Sequence, residues 1–172
     1  MVFRRRRILL SEIERQSGSA LLAYDEAAAA LQKHQPDRFW HSLQALVTAA
    51  GHLQALLWPA REPVAGAAEL RQALGVADGS PLCHPGLAAA RNIAGLLESW
   101  QAAHPDRTWH ASNFAAGGFT GVRSAECIRY FDRESSVYVL CGHIFVLPGL
   151  LGAIAELSHR ARMETEHLRE LV

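Results

Sequence analysis

The 172 residues carry 17 Lys and Arg against 17 Asp and Glu, so the chain is neutral at pH 7 and has no global field of the kind that gathers nucleic acid. Three cysteines, Cys83, Cys127 and Cys141, show no paired spacing, which excludes a disulfide scaffold and makes buried thiols in a reducing cytoplasm the expectation. No apolar run approaches the ~18 residues needed to cross a bilayer, so no membrane partner is expected.

By size the chain is a single domain, 1–172, able to bury roughly 70% of its unfolded surface. It opens with Arg4, Arg5, Arg6 and Arg7 followed by only Ile8, Leu9 and Leu10, too short an apolar run for a signal peptide. The arginines read as a solvated basic tip on the first helix. Over 10–33, Leu10, Ile13, Leu21, Tyr24, Ala28 and Leu31 recur at mostly three- and four-residue steps, with a break in the pattern at Gly18. His34-Gln35-Pro36-Asp37 ends this helix, and Phe39, Leu43, Leu46, Val47, Ala50, Leu53 and Leu57 trace a second one up to Trp58-Pro59.

A loop at 63–66, a short helix at 67–74 and a turn cluster at 77–81 lead into a central helix predicted over 85–104, with Pro85 in its first turn. At 100° per residue, Ala89, Ile93, Leu96, Leu97 and Trp100 form one stripe of that helix and Arg91, Gly95 and Glu98 stand opposite. Residues 105–124, containing Gly117, Gly118 and Gly121, have no clear period and form a long loop. A β-hairpin is expected over 126–147, its strands at 126–132 and 135–141 rich in Ile, Tyr, Phe and Val, with a third strand possible at 144–147. A last helix begins at Pro148, with Leu151, Ile154, Leu157, Ala161, Leu168 and Leu171 on its apolar side. The fold class is therefore mainly α, four long helices and one short one with a hairpin before the last.

Nine histidines raise the question of a metal, yet none has H-E-x-x-H or C-x-x-C company. Cys83-His84 with Cys141-Gly-His143 is the one grouping that could converge, and buried thiols with surface imidazoles are the commoner outcome, so no metal and no cofactor is expected. P-loop, nucleophile-elbow and dinucleotide motifs are absent.

At Arg38-Phe39-Trp40-His41-Ser42-Leu43-Gln44-Ala45-Leu46, Leu56-Leu57-Trp58-Pro59, Ser80-Pro81-Leu82 and Arg91-Asn92, the chain resembles a group of bacterial HEPN-domain proteins. The resemblance implies a bundle of four or five helices, a hairpin before the last, and an Arg-polar pair on the functional helix. It also implies homodimers that build composite sites, in some members as metal-independent ribonucleases and in toxin–antitoxin or defence settings. In active members a histidine follows the arginine after four to six residues. Arg91 and Asn92 match the pair, but Leu96, Leu97 and Glu98 stand where the histidine belongs, and none can take a proton from a ribose hydroxyl as imidazole can.

The leading expectation is a catalytically degenerate binding module whose contact residues are Arg91, Asn92 and Glu98, with RNA, a nucleotide or a protein as partner. The first alternative is a ribonuclease in which Arg91 stabilises the phosphorane and His104, His110 or His167 supplies the proton transfer, His104 being the next histidine along the chain. Arg162 and His167 satisfy the bare spacing without the polar follower, Met163 standing in its place. A third reading is a small-ligand binder in which Trp40, Trp58, Trp100 and Trp109 stack on a ring. Small residues beside Arg91 favour a homodimer with the central helix at the two-fold axis, Arg91 facing the partner's Glu98.

Overall fold

A computed structural model describes residues 2–59, 66–105 and 127–170. The expected loop at 105–124 falls almost entirely outside them, with His110 and Trp109. The described chain is mainly helical: α1 (Val2–Gln32), α2 (Pro36–Leu57), α3 (Ala67–Ala73), α4 (Pro85–Ala90), α5 (Ile93–Ala103) and α6 (Leu147–Glu170), with strands β1 (Arg129–Asp132), β2 (Val137–Leu140) and β3 (His143–Val146) before the last helix. No described helix is long and apolar enough to cross a membrane. The chain divides into two compact units, one of residues 1–91 with 151–172 and one of residues 92–150.

The first unit is built on the antiparallel pair α1 and α2. His34, in the left-handed region at φ 53°, lets Gln35 N–H reach back to Ala30 O at 2.9 Å, and Pro36 then opens α2 without losing a needed donor. On α1 the face buried completely is Leu10, Ile13, Ala20, Ala23, Ala27 and Ala30. Leu21, Tyr24, Ala28 and Leu31, expected at the centre of the stripe, border it half-buried. Large side chains read as core in a pattern, but four of these six buried positions are alanines. Leu22 is left 61% exposed. Gly18 does not interrupt α1, and a methyl added there would meet nothing within 4 Å.

Opposite, α2 buries Phe39, Leu43, Leu46, Val47, Leu53 and Leu57. Its other close approach is at Gly51, where an added Cβ would stand 2.4 Å from Leu87 O and 2.7 Å from Arg91 Cγ. Thr48 Oγ1 donates to Ala90 O at 3.3 Å and Gln54 Nε2 to His84 O at 2.9 Å, so α4 is bound to α2 along its length. The end of α2 is closed by Arg71 of α3, which donates to Leu57 O and lies over the Trp58 ring at 5.6 Å. From α6, Arg160 Nη1 donates to Leu74 O at 2.8 Å and Gly75 O at 2.7 Å, satisfying carbonyls that α3 leaves open, while Nη2 bonds Glu156.

In the second unit the three strands form an antiparallel meander in the order β1-β2-β3. The Asp132 carboxylate accepts Glu134 N–H at 3.0 Å and Ser135 Oγ–H at 2.6 Å, bonds that hold its pKa below the usual carboxylate value and fix the first turn. Cys141 and Gly142, both at positive φ, make the two-residue second turn. Phe131, Tyr138 and Phe145 lie across from one another on one face, with the Tyr138 and Phe145 rings 6.0 Å apart, and Cys127, Tyr130 and Val139 cluster on the other.

The same substitution should act with opposite signs at two positions of the helical unit. Gly18→Ala is expected to raise the free energy of unfolding by roughly 0.5–1 kcal/mol, since a helical glycine is replaced in open space. Gly51→Ala should lower it by about 1–3 kcal/mol, because the clash falls on a backbone carbonyl. Urea titrations of the two variants beside the parent check both.

Candidate binding face at the end of α4

The central helix expected over 85–104 is in fact two. α4 ends at Ala90, Arg91 is its C-cap at φ −69° and ψ −26°, and Asn92 leaves helical geometry at φ −120° and ψ 77°. Asn92 then caps α5, its Oδ1 accepting Gly95 N–H at 3.2 Å. The physical signal was present as an asparagine three positions before a glycine. A continuous apolar stripe across the junction outweighed it in the sequence reading. The break places Arg91 at the end of the first unit and Asn92 at the start of the second, so Arg91, Gly95 and Glu98 do not share one helix face.

Each expected site residue therefore has a different setting. Arg91 is exposed, its stem lying over Gly51, and its guanidinium makes no ion pair among the described residues. Asn92 is exposed, with its amide oxygen occupied by the cap. Gly95 leaves room for that cap, a Cβ there falling 2.6 Å from Asn92 Nδ2, rather than for a neighbouring backbone. Glu98 is exposed on α5. His104, the C-cap of α5, is taken up locally: its ring stacks on Trp100 at 4.9 Å and its Nδ1 bonds Trp100 O at 3.0 Å. His167 is exposed near the end of α6.

The tryptophans are spent one by one. Trp40 packs edge-on against Phe39 at 5.1 Å, Trp58 donates to Asp78 at 3.2 Å, and Trp100 is buried beneath His104. Eighteen residues of α2 separate Trp40 from Trp58, about 27 Å of rise, so these two share no ligand ring. Among the described residues no group of three or more His, Cys, Asp or Glu is placed to hold a metal. His84 Nδ1 instead accepts Gly86 N–H at 3.0 Å as the cap of α4, and burial pushes the Cys141 thiol up to about 11, away from the thiolate a metal needs.

What the sequence reading missed is the polar stripe of α2 next to Arg91. His41, Gln44, Thr48 and His52 follow one another at steps of three and four, a helical face, and together with Arg15 and Gln16 of α1 they line a shallow groove of about 420 Å³. The Thr48 bond to Ala90 and the Gly51 contact bring the end of α4 to the edge of this stripe. A search of polar spacing on α2, rather than of histidines after Arg91, would have found it.

Two of the lining side chains are held from outside the groove by Glu12, which accepts Arg15 Nε–H at 2.9 Å and Gln16 Nε2–H at 2.8 Å. The Arg15 bonds, and after them Gln16, hold its carboxyl at about 2, so at neutral pH it is an acceptor and no acid. His41 and His52 are eleven residues apart, about 16 Å along α2, too far to act as acid and base on one bond. The face carries the Arg91 guanidinium and the His41 and His52 imidazoles, with Thr48 bonded to Ala90 O between them, a set suited to holding a ligand.

No family model, curated protein or solved structure matches the chain.

Two measurements check the local chemistry. Asn92→Ala should cost about 1 kcal/mol of stability through the lost cap of α5, measured by urea unfolding. Because the folded-state carboxyl of Glu12 lies below its ordinary 4.5, its contribution to stability is present above that pH and is lost as pH falls toward 2. A carboxyl-carbon NMR titration should place the Glu12 midpoint near 2, and Arg15→Ala should move it toward 4.5.

Proposed function

We propose that this chain is a HEPN-like binding module that holds single-stranded RNA without cutting it, with Arg91 meeting phosphate and the α2 stripe meeting bases. The observation that carries the reading is the position of Arg91: an exposed guanidinium without an ion pair among the described residues, at the edge of a row formed by His41, Gln44, Thr48 and His52. Arginine suits phosphate through its forked donors, and imidazole and amide side chains suit unstacked bases by stacking and edge hydrogen bonds. A row about 16 Å long fits a strand of several nucleotides better than one mononucleotide.

The absence of cleavage rests on chemistry. The positions following Arg91 hold Leu96, Leu97 and Glu98, and His104 is engaged with Trp100. At the family's spacing no imidazole follows Arg91 to take the proton of a 2′-hydroxyl, and that is the ground for proposing binding without cleavage. The resemblance adds a homodimer, in which two Arg91 faces would offer one longer surface, and light scattering at micromolar concentration tests that part separately.

Fluorescence anisotropy with a labelled single-stranded RNA should show binding that weakens about tenfold in Arg91→Ala, the loss of one charge-assisted phosphate contact. The RNA should be intact on a gel after incubation. Cleavage abolished by Arg91→Ala would restore the nuclease reading, and binding indifferent to Arg91 would remove this face from the function.

A further inference from the structure

A second groove lies where the start of α1 meets the end of α6. Its volume of about 880 Å³ falls within the range of about 300–1,000 Å³ typical of small-molecule sites. Arg4, Arg7 and Arg169 line it, two from the beginning of the chain and one from its end. None of the three has a hydrogen bond or ion pair among the described residues.

Of the two carboxylates in the lining only Glu12 is paired with a cation; Glu14 keeps its charge, so three arginines stand against one uncompensated carboxylate. Glu12 is committed to Arg15 and Gln16, and Glu14 accepts the Thr165 hydroxyl at 2.9 Å. The walls are also held in place. Arg6, between the lining arginines, pairs with Glu164 at 2.6 Å, and with the Glu14–Thr165 bond it ties α1 to α6 at two levels. Three arginines without an ion pair thus border one groove, in excess of its one unpaired carboxylate, and the positive end of the α1 dipole lies on the same side. Apolar surface completes the lining: Leu56, Leu168 and Ile8, which is 62% exposed although it is a large aliphatic residue.

We propose that this groove is a binding site for a nucleoside di- or triphosphate, the arginines taking the phosphates and the aliphatic wall taking the base. Three cations match the charge of a di- or triphosphate, and forked guanidinium donors match its oxygens. The aliphatic residues supply the flat apolar contact that inorganic phosphate would not use. The linings of the two grooves have no residue in common, and this site does not depend on the RNA reading.

Isothermal titration of the full chain with ATP tests it. Saturable one-to-one binding is expected, weakened at least about tenfold when Arg4→Gln, Arg7→Gln and Arg169→Gln are combined. All three side chains are exposed, so the variant should fold, and its circular dichroism should overlay the parent's. Arg5→Gln removes the same charge from the same exposed run but not from the groove lining, and should leave affinity within about twofold. Inorganic tripolyphosphate should compete, but more weakly than ATP. Absent ATP binding, an unaffected triple variant, or an equal loss in Arg5→Gln, which would mean diffuse charge attraction, each overturns the site. Tripolyphosphate binding as tight as ATP overturns the nucleoside part.

Discussion

The helical unit depends on how closely other backbones can come to α2. On α1, which packs against it, Ala20, Ala23, Ala27 and Ala30 are buried; on α2 itself Gly51 admits Leu87 O and the stem of Arg91. Where side chains are this small, dispersion contacts extend to the backbone itself, and any added methyl falls on atoms that cannot move aside. The placement of Arg91 follows from that constraint. Its stem is set by a glycine on a neighbouring helix rather than by its own.

Polar groups do the remaining positioning, mostly at chain ends. Arg71 closes α2, Arg160 closes α3, His84 opens α4 and Asn92 opens α5. Each answers the same requirement, that the last carbonyls and first amides of a helix find a partner. Three of these side chains would count in a sequence as spare cations or site histidines, yet they are structural. Arg91 on one face and Arg4, Arg7 and Arg169 on another are among the described cations without such work. In a neutral chain this sorting produces local fields: acids such as Glu12 and Glu164 are paired with arginines while others of the arginines are not.

Much of the architecture could be read along the chain. The period of α2, the turn at His34 to Pro36, the meander and the last helix came from patterns that neighbouring residues complete among themselves, and they stand close to where they were expected. The candidate site was legible only in part. Arg91 and Asn92 were visible as a pair, but the stripe on the facing helix was not, since nothing in the order of residues says that Thr48 and Gly51 lie beside Ala90 and Arg91.

By itself, then, the sequence determined the elements: helical periods, breaking residues, a β-rich hairpin and the want of a histidine after Arg91. Those are properties of near neighbours, settled within a turn or two by backbone sterics and side-chain pattern. Only the tertiary structure decided that the apolar stripe over 85–104 is cut at Asn92, that α1 buries Ala20, Ala23, Ala27 and Ala30 more fully than Leu21 and Leu31, and which arginines line a groove without an ion pair. The reason is physical. A cap competes with a continuing helix by about 1 kcal/mol, and packing between segments far apart in the chain is worth more than that, so the outcome belongs to contacts that no local pattern contains.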